Sequence, residues 1–290
     1  MFYEVKLPEG RPGEKQISAL VVLNPSESRR LIAKATVALP EVQNAWKNGM
    51  IIIGRGITNA YVTEEFFKIS VEPKGAQTSG IITKGWLNST GAPPPCTWHV
   101  ISKGKVVQNA DSNVEIDKFG PDDVFLKGAN AIDPQGNAGV ITAGVKGGTI
   151  GMCLPVVTAR GSHLIQPVGL EKLVPSVHEA AMHSGIYYFK YSMGLPGRLF
   201  PVTTSKVVTE IQAFAVLAGV RAYQLAAGGV GGSEGAVILG LEGNEEQVQK
   251  AFELAKSVKG EPAVTVPDTC RISSPADYKY DALAQHSSGR

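Results

Sequence analysis

Met50-Ile51-Ile52-Ile53 is an unbroken apolar run, mostly β-branched, closed at once by Gly54-Arg55-Gly56. A run so short, and apolar at every position, predicts a strand buried on both faces. Upstream, Asn24-Pro25-Ser26-Glu27 supplies a capping side chain, a proline for the first turn and a glutamate behind it, which predicts a helix start. Leu31, Ile32, Ala35, Ala38 and Leu39 follow at helical spacing, and Pro40 breaks or restarts that helix before it runs on to Gly49. Residues 60–67 read as another helix. Helix, buried strand, glycine turn and helix together predict an α/β fold, with a Rossmann-like, mostly parallel sheet carrying helices on both faces.

The unit recurs. Residues 123–126 form a second buried-strand candidate running into Lys127-Gly128-Ala129-Asn130-Ala131-Ile132-Asp133, and residues 140–145 run into Lys146-Gly147-Gly148-Thr149-Ile150-Gly151. A helix start is expected at 152–158, interrupted by Pro155, then a strand at 164–168 and a helix over 170–181 that contains Pro175. The first ~20 residues, with Pro8 and Pro12, predict a leading strand or hairpin. Residues 74–117 differ: Ile81-Ile82-Thr83, Pro93-Pro94-Pro95, Val100-Ile101 and Val106-Val107 predict a strand-rich insertion into an α/β domain spanning 1–200. From 201 to 266 the order strand (202–204), helix (207–217), strand (220–226), strand (236–241), helix (244–258), with a possible strand at 263–266, matches a ferredoxin-like α+β subdomain. Residues 267–290 read as a polar tail.

Composition narrows the classes. A chain of 290 residues with 43% hydrophobic and 19% charged residues is globular rather than disordered. Its 28 basic and 26 acidic residues leave a net charge of +2 with no concentrated basic run, so neither nucleic acid nor a membrane surface is expected as partner. No stretch approaches the ~18 apolar residues of a membrane span, and Met1 to Lys6 lacks the apolar core of a signal peptide. Cys96, Cys153 and Cys270 are odd in number and far apart, which favours neither a disulfide framework nor a zinc site. A cytoplasmic location is the expectation. No cofactor is indicated.

Glycines at the carboxyl end of a strand let bare backbone amides approach an anion, and the following helix points its positive end there. Gly54-Arg55-Gly56-Ile57-Thr58-Asn59 has that layout, with Thr58 and Asn59 as donors and Arg55 as a clamp for phosphate or carboxylate. A structural turn with Arg55 in solvent explains the same residues about as well. Three such loops, each after an expected strand, would converge on one crevice. Lys127 and Lys146 would bring positive charge there, Asn130, Asp133 and Asn137 orienting groups, and Gly128, Gly147, Gly148 and Thr149 backbone access. For Asp133, a plain turn at Asp133-Pro134-Gln135-Gly136 is an equal alternative.

In order and spacing these loops resemble those of the superfamily containing ribose-5-phosphate isomerase A, glucosamine-6-phosphate deaminase and the CoA transferases. The isomerase carries a GxGST phosphate loop, a DGADE loop and a KGGGG loop; here stand Gly54-Arg55-Gly56-Ile57-Thr58, Lys127 to Asp133, and Lys146-Gly147-Gly148-Thr149. Val168-Gly169-Leu170-Glu171-Lys172-Leu173-Val174-Pro175 is similar to a segment of LUD-type lactate-utilisation proteins of the same superfamily. The resemblance covers roughly residues 24–180. It implies a phosphosugar, carboxylate or acyl-CoA ligand and isomerase or transferase chemistry. The departures are chemical: the isomerase's two working aspartates fall on Lys127 and Asn130, and its general base falls near Pro155. Of that set only Lys146 survives.

Gly232-Ser233-Glu234-Gly235 resembles the nucleophile loop of CoA transferases, yet Glu234 falls in the hairpin of the small unit and reads as a loop tip. His99, His163, His178, His183 and His286 are dispersed, and Tyr187 to Tyr191 reads as an interface filler. The glycine-dense stretch 226–232 suggests either a phosphate cradle or a subunit contact, and a homo-oligomer is expected from it. The expectation is therefore a chain binding a small anionic metabolite, with Lys146, Asn130 and Asp133 as catalytic candidates. The alternative is a non-catalytic binder or assembly protein with a vestigial pocket.

Overall fold

The Met50–Ile53 run is a strand with the bounds its composition predicts. The computed structural model describes residues 1–10, 13–89, 99–144 and 146–266. Pro93 to Pro95, Cys96, Cys270, His286 and the expected tail lie outside them. The chain passes through β1 (Ile17–Leu23), α1 (Pro25–Ala38), α2 (Pro40–Asn48), β2 (Met50–Ile53) and α3 (Ile57–Phe67). Then come β3 (Gly80–Thr83), β4 (Trp86–Ser89), β5 (Val100–Ser102), β6 (Lys105–Val106) and α4 (Ser112–Glu115). The middle holds β7 (Val124–Leu126), β8 (Ala131–Ile132), β9 (Ala138–Thr142), α5 (Gly148–Arg160), β10 (His163–Pro167) and α6 (Val177–Met182). The remainder is β11 (Arg198–Val202), β12 (Lys206–Val208), α7 (Glu210–Ala218), β13 (Arg221–Gly228), β14 (Ala236–Gly243) and α8 (Glu245–Ser257).

The fold is α/β around a six-stranded mixed sheet of order β12-β10-β7-β2-β5-β6. Strands β12, β10, β7 and β2 run parallel, while β5 and β6 are antiparallel. Ile51 to Ile53 pair with Val124 to Leu126, and all six side chains are buried, as a parallel strand covered on both sides requires. Each such side chain contributes roughly 1.5–3 kcal/mol of transfer free energy. Helix α1 packs on α3, α7 and β10, and α2 packs on β2. Glu27 begins the first of these helices by accepting a hydrogen bond from the Asn24 amide at 2.8 Å.

The strand-rich stretch 74–117 also extends the main sheet, because β5 pairs with β2 and β6 with β5. Three expectations change. The helix expected over 170–181 is a single 3-10 turn (Leu170–Lys172) followed by α6, since the residue ahead of Pro175 is pushed out of the helical region. Ser176 then caps α6, its Oγ accepting from the Glu179 amide at 3.0 Å. Val207 and Val208, expected in a helix, are fully buried in β12, and the helix starts after Thr209. Last, residues 198–257 do not make a sheet of their own. Strand β11 pairs with β9 and β12 joins the main sheet, while β13 and β14 take β1 as third strand through seven register pairs from Ile17↔Gly243 to Leu23↔Val237. Residues 263–266 are not a strand. Among the described residues no helix is long and apolar enough to cross a membrane.

Candidate functional site

Beyond the carboxyl ends of β2, β7 and β10 lies a cleft of about 510 Å³, walled on its far side by the β3–β4 hairpin and the β9–α5 connection. The three glycine loops meet there. Arg55, Gly56 and Thr58 come from the first, Lys127, Gly128 and Asn130 from the second, Gly148 and Thr149 from the third. Two helices begin at the cleft wall, α3 at Ile57 and α5 at Gly148. Among the described residues, the amides of Ile57, Thr58, Gly148 and Thr149 have no protein acceptor. Both positive helix ends are therefore open toward one space.

The other expected residues serve the backbone instead. Gly54 is a close-approach position: a Cβ there would stand 2.9 Å from Lys127 Cδ and 3.0 Å from Leu126 O. Asn59 is buried, and its amide donates to Gly54 O at 2.6 Å and Leu126 O at 3.1 Å, tying the ends of β2 and β7 together. Gly147 takes φ 76° in the turn that starts α5, a region that favours glycine. Asp133 is 1% exposed and accepts from the amides of Gln135, Asn137 and Val177 and from the Asn137 side chain. Burial alone would raise its pKa; those donors reverse the sign and hold it below the usual carboxylate value. It organises a turn and does not line the cleft. Nor does Lys146, which is exposed at the surface. Asn130 reaches the cleft, though its Oδ1 already accepts from the Ile141 amide at 3.0 Å.

Among the described residues, the charged groups that do line the cleft are Arg29, Arg55, Lys127 and Lys172, against one carboxylate, Glu171. Lys127 lies on the floor, walled by protein yet touched by solvent through the mouth. Among the described residues its Nζ donates only to Arg55 O and Gly128 O, both at 3.4 Å. Burial lowers its pKa to about 8, the Cys153 sulfur opposes the shift, and the neighbouring Lys172 adds to it. Lys172 is lowered for the same first reason; it donates to Ala129 O at 3.1 Å and stands 3.9 Å from Glu171 Oε1. Arg29, from the second turn of α1, meets Glu171 Oε1 at 3.3 Å, while its buried Nε has no partner among the described residues. Behind Glu171, Glu210 is fully buried and accepts from the Leu170 amide at 2.9 Å. Burial, then the charge of Glu171, raises its carboxyl well above the usual range. Cys153 is 2% exposed, and burial pushes its thiol up to about 12, which makes it an inert core group.

Arg29, Glu171, Lys172 and Glu210 are absent from the residues expected of the site. The Glu171-Lys172 pair follows a strand that the sequence does reveal, so its place at a strand end was the available signal. Glu210 follows Val207-Val208, and only a strand reading of that pair would have shown it. Arg29 sits on a helix face whose apolar spacing says nothing about what its polar residues meet. Of the other candidates, Glu234 is an exposed loop tip, its carboxylate accepting from the Gly232 amide at 3.0 Å. Tyr187 to Tyr191 are exposed on this chain. Among the described residues no group of His, Cys, Asp and Glu is arranged to hold a metal ion. Comparison of the chain with known protein families, with curated proteins and with solved structures found no match.

Proposed function

We propose that this protein binds a small anionic metabolite, a phosphosugar or short carboxylate, at the carboxyl ends of the parallel strands. One observation carries the reading: among the described residues four cationic side chains face one carboxylate in a single cleft, on which two uncapped helix N-termini also open. A cleft of about 510 Å³ suits a ligand of that size, and an acyl-CoA would enter only by its acyl end. The Rossmann-like architecture and the kinship with the isomerase and CoA-transferase superfamily belong to the same proposal. If the protein is an enzyme, isomerase or transferase chemistry fits a cleft in which lysines and Glu171 line one wall.

The second reading is a binder without turnover. It draws support from Lys146 and Asp133, two of the three catalytic candidates, which stand outside the cleft. A thermal-shift screen against sugar phosphates, short carboxylates and acyl-CoA esters tests both readings. A ligand at a hundred times its Kd adds ~2.7 kcal/mol of stability. A shift that disappears in Arg55→Ala supports the cleft; no shift from any anion sinks it. Turnover of a ligand that shifts the melt decides between enzyme and binder.

A further inference from the structure

Lys127 differs from Lys74, Arg30 and Lys172 in having, among the described residues, no carboxylate to neutralise it. Lys74 meets Glu64 and Glu72, Arg30 meets three carboxylates, and Lys172 has Glu171 at 3.9 Å. Among the described residues no carboxylate comes within 4.0 Å of Lys127 Nζ. Its two carbonyl contacts at 3.4 Å are longer than the 2.7–3.2 Å of a well-formed N–H···O bond. The stem is nevertheless held, because the bare Cα of Gly54 leaves it the space it occupies. A flexible side chain is thus fixed on the floor of a cleft with its amine under-satisfied.

We infer that Lys127 is a nucleophile that forms an imine with the aldehyde or ketone carbon of a small anion held in this cleft. The inference rests on the anion-binding reading above and names the substrate class more narrowly: an anion that also bears a carbonyl. In the step, the neutral Nζ donates its lone pair to the carbonyl carbon, and the C=O π pair moves to oxygen. The oxygen then leaves as water with two protons. Ammonium plus carbonyl gives iminium plus water, so charge balances and no oxidant or reductant is needed. The cleft suits both halves of this. Arg29, Arg55 and the helix ends hold the anion, while burial and the Lys172 charge favour the uncharged amine. At pH 7 a pKa of about 8 leaves about a tenth of the amine neutral, against well under a thousandth for an ordinary lysine.

The test incubates the whole protein with pyruvate, 2-oxoglutarate or dihydroxyacetone phosphate and sodium cyanoborohydride, followed by intact mass and peptide mapping. Calorimetry measures binding of the same three compounds without the reductant. The expected result is one adduct per chain, on Lys127, suppressed at least tenfold in Lys127→Arg and retained in Lys146→Arg, whose exposed amine lies outside the cleft. Labelling by an oxo acid alone, or by the phosphate alone, tells which anion the cleft takes. Binding without an adduct overturns the imine and leaves the anion reading standing. Labels spread over exposed lysines such as Lys146 overturn it too, and neither binding nor adduct with any probe overturns both. Should the Lys127 variants fail to fold, the wild-type labelling rate against pH decides: a midpoint near 8 supports the assignment, and one near 10 overturns it.

Discussion

Arg29 and Arg30 are neighbours on one helix and lead into opposite electrostatic worlds. Arg30 donates to Glu64 at 2.5 Å, Glu65 at 3.0 Å and Glu261 at 2.9 Å, and stacks over the Tyr61 ring at 4.8 Å. Lys74 enters the same cluster through Glu64 and Glu72. Arg29, about a hundred degrees round the helix, reaches a region where, among the described residues, cations outnumber carboxylates four to one. Both regions put charge out of full contact with water, which costs free energy unless it is compensated. The first is compensated by the protein itself and ties α1, α3 and residue 261 together. The second is left in surplus, and that surplus carries the functional reading. Charge balance separates a cluster that holds a fold from one that awaits a ligand.

Substitutions sharpen this contrast. Arg30→Ala should cost about 3 kcal/mol in chemical denaturation, because it leaves three partly buried carboxylates without their guanidinium. An effect below about 1 kcal/mol would break the comparison. The next largest effect is expected at Glu210. Its folded pKa lies above the unfolded value, so its contribution is intact at low pH and is lost as pH rises toward neutrality. Glu210→Gln should therefore raise stability by on the order of 2 kcal/mol at pH 8 and leave melting unchanged only below about pH 4, under the unfolded carboxylate value. Glu64 and Glu65 carry the opposite sign. Burial raises them, but hydrogen bonds and the facing cations outweigh it and hold both below the usual value. What they contribute is present above the ordinary carboxylate pKa and disappears as pH falls through the depressed one, so acid melts should report the Arg30 cluster and alkaline melts Glu210.

Smaller effects are expected in the cleft. Gly54→Ala puts a methyl 2.9 Å from the Lys127 stem, and should cost roughly 1–2 kcal/mol while shifting the amine. A thermal melt together with anion titration would detect both changes. Lys127→Met should be the mildest for the fold: a melting temperature unchanged or slightly raised, against a tenfold loss of anion affinity, ~1.4 kcal/mol. If Lys127→Met instead destabilised as much as Arg30→Ala, the surplus charge would be structural after all.

The frame of the molecule was largely readable from residue order. Runs such as Met50–Ile53 and Val124–Leu126 are apolar at every position, which only burial on both faces accommodates, and Asn24, Pro25 and Glu27 mark a helix start by local chemistry. The glycine loops were legible for the same reason, since backbone approach needs residues without side chains. Less legible were elements whose state depends on a distant partner. Val207-Val208 fits helix or strand equally until β10 lies beside it, and β1 becomes the third strand of the β13–β14 sheet across more than two hundred residues of chain. Pro175 announced a break, yet not whether the turn before it would aim Glu171 and Lys172 into the cleft.

The candidate site divides along the same line. Residue order placed Arg55, Lys127 and Thr149 at strand ends, because buried-strand and glycine-turn patterns are local properties of the chain. It could not separate Lys127 from Lys146, two lysines in similar loops, or Asp133 from a ligand-facing carboxylate. Tertiary structure decided those: one ammonium lies on a cleft floor, the other is exposed, and Asp133 is consumed by four hydrogen bonds. Burial and charge balance are sums over neighbours brought together from far along the chain. No local pattern contains those sums, so the chemistry of a lysine appears only once its surroundings have assembled.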